Sequence, residues 1–340
     1  MKETRAGETR VAVTPQAVSL LRSPHYRLLV ESGAGFKAGF SDAEYIQAGA
    51  ELFSLTEEGY PADTLFLRVK RAEKDRESLE PKWFSENTAM IGFLDPLDEP
   101  GDHVLSWQQA GITTFSVDVF KSLPTDDPRN MQAAMSRMAG RLAFRDAVGH
   151  VLSKEPPKLT VLGTGPAAMS AVLEAIETGV PVQVFGLQEK YRNRFESLGA
   201  LYRLIPEHAD QTEFIRQYLS DQTMVVSAVR VAGVKPPLLI DEASLQLLPK
   251  GAALVDLTVN EGGSIFGSKN DQVVELYGVF ISHMSGYPKM EPKEASEAYA
   301  SCMVHLLREI LTPFGEILLN HDLARESWIT HQGKCNPFFI

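Results

Sequence analysis

The feature that most constrains the fold of this 340-residue chain is a glycine-rich segment near its middle. The segment, Gly163-Thr164-Gly165-Pro166-Ala167-Ala168, follows the apolar run Leu159–Leu162 and precedes a stretch of helical character. A second apolar run, Val182–Phe185, begins about 20 residues later. A strand, a tight glycine turn, a helix and another strand form the repeating unit of a doubly wound parallel sheet. The segment therefore predicts an α/β fold.

The same segment predicts a dinucleotide site. Gly163 suits the tight turn, Gly165 leaves room for the backbone to approach a pyrophosphate, and Ala168 replaces a third glycine where helix and strand pack. The amides of the helix N-terminus attract the phosphates. A glycine turn without a ligand is the alternative interpretation. We assign cofactor binding to the whole segment, to the end of a later strand and to a nearby loop: Gly163, Thr164, Gly165, Pro166, Ala167, Ala168, Ala228, Val229, Gly186, Lys190 and Arg192.

The choice between NAD and NADP depends on the end of the second strand. An NAD site usually has an acidic residue there, which accepts hydrogen bonds from the ribose 2′-hydroxyl. This chain has Gly186, followed by Lys190, Arg192 and Arg194. The basic residues fit a 2′-phosphate, and they equally fit a solvated helix face. Glu189 is an alternative acceptor for the ribose, so both cofactors stay open.

Apolar strands and amphipathic helices alternate along the chain, which indicates parallel sheets with crossover helices. A turn-rich break at Pro124–Pro128 precedes a long helical pattern from about Arg129 to Leu152, whose methionines we expect in the core. A second long helix is predicted over Pro292–Leu311. Further strands are predicted at Arg27–Glu31, Thr64–Val69, Ala89–Leu94, Thr113–Val117, Met224–Ala228, Ala253–Leu257 and Val279–Ile281. We expect two domains, residues 1–127 with 288–340, and residues 128–287.

Composition excludes several classes of function. A net charge of −11 disfavours nucleic acid and anionic membranes, because the field of the protein repels phosphate. Apolar runs are shorter than the ~18 residues that a membrane helix needs, so we expect no membrane insertion. The first residues, Met1–Arg5, lack the apolar stretch of a secretory signal, which favours a cytoplasmic protein. Cys302 and Cys335 are expected to be reduced thiols, and no metal site is predicted.

Motifs along nearly the whole chain, in the same order, resemble the alanine dehydrogenase and pyridine nucleotide transhydrogenase alpha-subunit family. The opening Gly7-Glu8-Thr9-Arg10-Val11-Ala12-Val13-Thr14-Pro15 is similar to the family's N-terminal signature. Further similar blocks are Val30–Gly35, Ala139-Gly140-Arg141, Val255–Gly263 and Tyr287–Tyr299. The resemblance implies two Rossmann-like domains with parallel sheets flanking an interdomain cleft. It also implies a homo-oligomer, a dimer or a hexamer.

The resemblance suggests roles for individual residues. Arg10 matches the family arginine that pairs with a substrate carboxylate, a role that suits a planar guanidinium. Lys70 matches the family lysine that contacts the keto acid and polarises its carbonyl oxygen. Asp95 stands where alanine dehydrogenases have an acid–base histidine, and it needs a raised pKa to transfer protons. Asn260 replaces the family's catalytic aspartate, and an amide cannot take a proton at neutral pH. His283, after a strand, is another acid–base candidate.

Three functions remain from the sequence. The first is an NAD(P)(H)-dependent oxidoreductase acting on an amino acid, 2-keto acid or imine, with a small-molecule substrate. The second is the nucleotide-binding part of a transhydrogenase alpha subunit, with a beta subunit as partner. The third is a nucleotide-binding homologue that has lost catalysis through the changes at Asp95 and Asn260. The family's first strand has no counterpart before Lys2-Glu3, so we expect either a truncated start or a sheet that lacks one member.

Overall fold

The computed structural model describes residues 1–54, 59–77, 79–84, 87–97, 101–229 and 234–339. The strands of these residues are β1 (Leu29–Glu31), β2 (Glu51–Phe53), β3 (Leu65–Lys70), β4 (Ala89–Phe93), β5 (Thr113–Ser116), β6 (Leu159–Leu162), β7 (Val182–Gly186), β8 (Leu201–Leu204), β9 (Met224–Ser227), β10 (Ala253–Asp256), β11 (Val273–Leu276), β12 (Val279–Ser282), β13 (Trp328–His331) and β14 (Lys334–Cys335). The helices are α1 (Pro15–Leu21), α2 (Asp42–Ala48), α3 (Lys74–Glu77), α4 (Asp102–Gln109), α5 (Met131–His150), α6 (Pro166–Glu177), α7 (Arg192–Glu196), α8 (Gln211–Arg216), α9 (Glu242–Leu247), α10 (Pro292–Ile310) and α11 (Asp322–Ser327). The chain divides into two compact units. Unit 1 comprises Met1–Met135 and Lys289–Ile340, and unit 2 comprises Ser136–Pro288.

Unit 2 is built on a seven-stranded sheet in the order β11-β12-β10-β9-β6-β7-β8. All neighbouring strands are parallel except β11, which runs antiparallel to β12. The central strand β6 pairs with both β7 and β9, so Leu159 lies opposite Val182 on one side and Met224 on the other. All four residues of β6 are buried, as expected for a strand that packs on both faces. This strand order reverses direction at β6, where doubly wound sheets bind ligands.

Unit 1 contains a five-stranded sheet in the order β14-β13-β5-β4-β3 and a separate parallel pair, β1 with β2. The strands β3, β4 and β5 are parallel, whereas β13 runs antiparallel to β5 and the edge strand β14 runs antiparallel to β13. The core under this sheet contains Phe66, Met90, Leu94 and Trp107. Because β3, β4 and β5 are parallel, the residues that follow them lie at one edge of the sheet.

Local signals in the sequence account for several helix boundaries. The Thr14 side chain caps α1 by accepting a hydrogen bond from the Ala17 amide. Ser41 and Glu44 form a capping box at the start of α2. The long predicted helix is α5, and its apolar stripe is buried as expected: Met131, Met135, Met138 and Leu142. The second long predicted helix is α10, with ten buried residues along one face.

The described residues also bear on membrane-spanning helices, metal ligands and the two cysteines. Within the described ranges, no helix is long and apolar enough to cross a membrane. The same residues contain no group of three or more His, Cys, Asp or Glu side chains arranged to hold a metal ion. Cys302 and Cys335 are both free thiols.

Candidate functional site

The glycine-rich loop of unit 2 has the conformation that a phosphate site needs. Gly163 has a φ of +108°, and a Cβ there would lie 2.6 Å from the carbonyl oxygen of Ala228. Only glycine fits this turn from β6 to α6, which passes close to the end of β9. Gly165 is the N-cap of α6, no side chain caps that terminus, and a Cβ at Gly165 would meet nothing within 4 Å. Pro166 has no N–H, so the donors at this uncapped N-terminus are the amides that follow it, and these can bind an anion.

A second glycine lets α5 pack against the start of α6. A Cβ at Gly140 would lie 1.8 Å from the carbonyl oxygen of Ala167. Ala168, the third position of the phosphate loop, is fully buried in the core of unit 2. A side chain at Gly140 would displace the backbone of the loop itself. This contact gives a physical reason for the glycine in the Ala139-Gly140-Arg141 motif.

The space where an NAD-specific acid would stand is filled in this chain. A Cβ at Gly186, the last residue of β7, would lie 2.2 Å from the Tyr202 hydroxyl oxygen and 2.7 Å from Thr164 Cγ2. The Tyr202 hydroxyl donates a hydrogen bond of 2.7 Å to the Gln188 carbonyl. The missing acid therefore has a steric cause, and Gly186 by itself does not indicate a 2′-phosphate.

The basic residues that follow β7 differ in the groups that they contact. The Arg192 guanidinium binds Glu189 at 2.5 Å and Glu196 at 2.9 Å. Hydrogen bonds from Arg192 lower the pKa of Glu189. Lys190 is exposed, with its ammonium 5.0 Å from the ring centre of Tyr191. A 2′-phosphate would have to compete with two carboxylates for Arg192.

The loop after β10 is organised by one buried carboxylate, Asp256. It accepts hydrogen bonds from the amides of Thr258, Ser264 and Ile265 at 2.8–3.0 Å. The Ser264 hydroxyl in turn donates to Ser227 Oγ at 2.7 Å, which ties the loop to the end of β9. Asn260 lies exposed in a short helical turn of this loop.

His283 is placed as a structural residue of unit 2. It follows β12, is 5% exposed, and accepts a hydrogen bond of 3.1 Å at Nδ1 from the Asp271 amide. Burial lowers the pKa of His283, against the opposing charges of Asp271, Asp256 and Glu261. The ring is therefore neutral at pH 7 and ties the end of β12 to the segment that precedes β11.

In unit 1, a group of cations surrounds Asp95 at the carboxyl edge of the parallel strands. Lys70, at the end of β3, approaches the two Asp95 oxygens at 2.9 and 3.2 Å. Arg5 lies 3.2 Å and Arg71 3.8 Å from Oδ2 of the same carboxylate. Burial would raise the pKa of Asp95, but the charges of Lys70, Arg5 and Arg71 outweigh it and lower the pKa. This direction is opposite to the one that proton transfer by Asp95 requires.

Asp118 is the neighbouring carboxyl group and was not singled out from the sequence. Its Oδ2 accepts a hydrogen bond of 3.1 Å from the Asp95 amide, and its Oδ1 contacts the Ser116 hydroxyl. Burial and the negative charge of Asp95 raise the pKa of Asp118 to about 6, against the hydrogen bond from Ser116 and the charge of Lys70. Asp118 can therefore change its protonation state near neutral pH.

The Arg10 guanidinium binds a carboxylate within unit 1. Its Nε and Nη2 atoms each donate a 2.7 Å hydrogen bond to the Glu8 carboxylate, and Nη1 lies 3.3 Å from the sulfur of Met135. Both charged residues are buried. Burial would raise the pKa of Glu8, but the hydrogen bonds and charge of Arg10 lower it. A substrate carboxylate would have to share this guanidinium with Glu8.

Lys289 adds another cation to the same region. Its pKa is lowered by burial and by the charges of Arg10, Arg5 and Lys70, which Glu8 only partly offsets. Its carbonyl oxygen accepts a 2.8 Å hydrogen bond from the Thr9 hydroxyl. Mutual repulsion among these cations would be relieved by a bound anion. Arg10, Lys70, Arg5 and Lys289 therefore form a cationic cluster in unit 1.

The structure thus groups some of the sequence-predicted site residues and separates others. Lys70 and Asp95 are in direct contact in unit 1. Asn260 and His283 belong instead to unit 2. Sequence reasoning missed Arg5, Asp118 and Lys289. Asp118 could have been found, because it stands two residues after β5 just as Asp95 stands two residues after β4.

A cavity of about 560 Å³ lies elsewhere in unit 1, between β1 and β3. Its walls are mainly apolar and include Val30, Phe53, Phe66 and Leu307. Neither Lys70 nor the two aspartates line it. The charged groups around Asp95 therefore lie outside this cavity.

The fold and these sites define a class of protein with two Rossmann-like α/β domains. The profile of the alanine dehydrogenase/PNT N-terminal domain matches residues 1–141, and that of the C-terminal domain matches residues 132–337. The chain therefore belongs to the alanine dehydrogenase/PNT family, and the predicted family and fold class are confirmed.

Individual relatives lie in both branches of this family. An NAD(P) transhydrogenase alpha-subunit protein of Rickettsia prowazekii (strain Madrid E) is 24% identical over 370 aligned positions, which cover 100% of this chain and 96% of the relative. Alanine dehydrogenase 1 of Staphylococcus aureus (strain NCTC 8325 / PS 47) is 26% identical over 333 positions, with 91% and 86% covered.

Solved structures of both kinds share the fold. A transhydrogenase from Sinorhizobium meliloti superposes with a TM-score of 0.89 at 24% identity, covering 98% of both chains. An L-alanine dehydrogenase superposes with a TM-score of 0.85 at 21% identity, covering 99% of this chain and 96% of the other. At these identities the likeness establishes the fold alone.

Proposed function

We propose that the chain is an NAD(P)(H)-dependent oxidoreductase that transfers hydride between the nicotinamide C4 atom and the C2 carbon of an amino acid, 2-keto acid or imine. The observation that carries this proposal is the cationic cluster of unit 1, in a chain whose unit 2 has an open phosphate loop. A small anionic substrate suits several cations at the carboxyl edge of a parallel sheet. The assignment of substrate to the first predicted domain and nucleotide to the second belongs to the same proposal.

The phosphate loop fits a dinucleotide on structural grounds. Gly165 leaves open space in front of the uncapped N-terminus of α6, and Gly163 brings the turn against Ala228. A bound nicotinamide ring gives or accepts a hydride at its C4 atom. Tyr202 fills the space beside Gly186, which accounts for the missing acid, and Arg192 already binds two carboxylates. Both NAD(H) and NADP(H) are therefore candidate cofactors.

Lys70 has the position to act on the reacting group. Its ammonium binds Asp95 and lies 5.1 Å from the ring centre of Phe93. A fixed positive charge stabilises the negative charge that develops on a carbonyl oxygen during reduction. Arg5 and Lys289 would attract the substrate carboxylate, with Arg10 available only if it shares its contacts with Glu8.

The proposal is tested by NADH and NADPH oxidation against a panel of 2-keto acids, with and without ammonium. The Lys70→Gln variant is expected to lower kcat/KM by roughly 10²–10³-fold, because a fixed electrostatic contact to the oxygen is lost. NADH affinity should stay within about twofold, because Lys70 belongs to unit 1. Lys154→Gln, an exposed lysine of unit 2, is the matched control. Unchanged kcat/KM in Lys70→Gln would contradict the role of Lys70.

A second candidate is the nucleotide-binding part of an NAD(P) transhydrogenase. It is favoured by the alignment with the Rickettsia prowazekii protein, which covers 96% of that relative. In this case the chain would pass hydride to a second nucleotide-binding subunit, and keto acids would not be substrates. Hydride exchange between NADH and an NADP⁺ analogue in the presence of a transhydrogenase beta subunit would support it. Nucleotide binding without turnover in either assay would select a homologue that has lost catalysis.

A further inference from the structure

Two aspartates occupy equivalent positions on neighbouring strands of unit 1 but have different surroundings. Asp95 stands two residues after β4 and Asp118 two residues after β5, and these strands are parallel neighbours. Asp95 has Lys70, Arg5 and Arg71 within 4 Å. The hydrogen bonds of Asp118 come instead from a hydroxyl and a backbone amide.

We propose that Asp118 gives and takes the proton in the reaction, while Asp95 stays ionised as the counter-ion of Lys70. This inference rests on the proposed oxidoreductase function and names the acid–base group of the same site. It replaces the sequence-based assignment of that role to Asp95 or His283.

The contacts of Asp118 suit both of its protonation states. When ionised, Oδ1 accepts the Ser116 hydroxyl proton and Oδ2 accepts from the Asp95 amide. When Asp118 is protonated at Oδ1, it can donate to Ser116 Oγ. The serine proton then turns to the Gly92 carbonyl, 3.4 Å away, while Ser116 Oγ also accepts from the Leu94 amide at 2.9 Å. No hydrogen bond among these described groups is lost when the proton leaves or returns.

The charged and titratable groups that face Asp118 come from several elements. Asp95 after β4 disfavours its ionisation, and Lys70 at the end of β3 favours it. Tyr299 on α10 interacts with it electrostatically, but burial raises the pKa of that phenol well above its ordinary value, so it stays neutral. The net effect leaves the pKa of Asp118 at about 6. A carboxyl group poised near neutrality is suited to proton transfer in both directions.

In the reductive direction a bound reduced nicotinamide would supply a hydride with its electron pair, which would form a C–H bond at the substrate carbonyl carbon. The π electrons of the C=O bond move to oxygen, which takes the proton of Asp118 and becomes a hydroxyl group. Asp118 is left as a carboxylate and is reprotonated from solvent. In the oxidative direction the carboxylate of Asp118 accepts the proton as hydride leaves the carbon.

The first test does not depend on activity. Proteins with ¹³Cγ-labelled aspartate are titrated by NMR as wild type, Asp118→Asn, Asp95→Asn and the exposed control Asp221→Asn. We expect one carboxyl group to titrate near pH 6 in the wild type and in Asp221→Asn, and to vanish in Asp118→Asn. In Asp95→Asn it should move to lower pH, because a negative neighbour is lost. Persistence of this titration in Asp118→Asn would overturn the assignment.

The second test is the pH profile of keto acid reduction. The wild type should lose kcat as pH rises through about 6, and Asp118→Asn should lose this dependence together with roughly 10²–10⁴-fold in kcat at little change in KM. A retained profile in Asp118→Asn would overturn only the role of Asp118. A titrating Asp118 in a protein that reduces no keto acid would instead overturn the proposed function, and the catalytic role with it.

Discussion

At the scale of residues, Asp95 and Asp118 have the same side chain but opposite pKa shifts. Three cations outweigh the burial of Asp95, whereas Asp118 has burial and the negative charge of Asp95 against its ionisation. Two carboxyl groups this close do not ionise independently, so their titrations are coupled. The difference arises from the side chains that the fold places around each carboxyl group.

The raised pKa of Asp118 makes a prediction about stability. The folded protein keeps the Asp118 proton up to about pH 6, whereas the unfolded chain releases it near 4. The contribution of Asp118 to stability is therefore fully present below about pH 4 and is lost as pH rises through about 6. An asparagine side chain at this position would mimic the protonated form at every pH. We expect Asp118→Asn to raise the free energy of unfolding by roughly 1–2 kcal/mol at about pH 8 and by little at about pH 4.

Urea unfolding at both pH values measures this effect. Asp95→Asn is the matched comparison with the opposite sign, because the pKa of Asp95 is lowered by Lys70, Arg5 and Arg71 against burial. The stabilising effect of Asp95 is present above the unfolded pKa and lost as pH falls through the folded pKa. If Asp118→Asn destabilised the protein equally at both pH values, the raised pKa would be contradicted.

The buried pair of Glu8 and Arg10 makes a second prediction. Arg10→Met would leave the Glu8 carboxylate buried without its partner, which should reduce the free energy of unfolding by about 3–5 kcal/mol. The double variant Glu8→Gln, Arg10→Met should recover much of this loss, because no charge is left unpaired. Thermal and urea unfolding of both variants measure the effect. A stable Arg10→Met protein would mean that Glu8 is not held by Arg10, and would favour Arg10 as a free substrate ligand.

At the scale of elements, the phosphate loop depends on three glycines, and each glycine is there for a different reason. Gly163 is required by its positive φ, Gly165 leaves open space, and Gly140 admits the backbone of the next helix. The strand–loop–helix pattern was readable from the sequence because it is local. The Tyr202 hydroxyl that fills the space beside Gly186 was not, because that contact crosses from β8 to β7.

The close contact of α5 with the phosphate loop makes a third prediction. Gly140→Ala places a methyl group 1.8 Å from the Ala167 carbonyl oxygen, so the loop must move. We expect a loss of roughly 2–4 kcal/mol in stability and weaker NADH binding. Gly149→Ala, also in α5 but with nothing within 4 Å of its Cβ position, is the matched control. It should be neutral or stabilising by up to about 1 kcal/mol. Equal effects of the two substitutions would contradict the packing argument.

At the scale of the whole molecule, the α/β class and nearly every long element were predictable from the sequence. Buried parallel strands such as β6 are continuous apolar runs, and α5 and α10 have clear helical periodicity. Short elements were missed, among them β2, β8, β11, β13 and β14. Strands of two to four residues are too short to show a period, and an antiparallel strand such as β13 is fixed by pairing with β5, which is distant in the sequence.

The candidate site was predictable only in part for a related reason. Lys70 and Asp95 were found through the family resemblance, and they are in contact. The pKa of Asp95, the engagement of Arg10 by Glu8 and the burial of His283 depend on three-dimensional neighbours. The class of substrate and the oligomeric state are predictions from the family resemblance, and both cofactors stay open.

The most direct test of the central claim is a fluorescence titration of the wild type, Gly165→Asp and Gly165→Asn with NADH and NADPH. Aspartate is a favourable N-cap and position 165 has open space, so both variants should fold. The added carboxylate would repel the pyrophosphate at the N-terminus of α6. We predict that the wild type binds at least one dinucleotide and that Gly165→Asp weakens binding by roughly 100-fold or more, with Gly165→Asn in between. Failure of the wild type to bind either nucleotide, or equal binding by Gly165→Asp, would contradict the account.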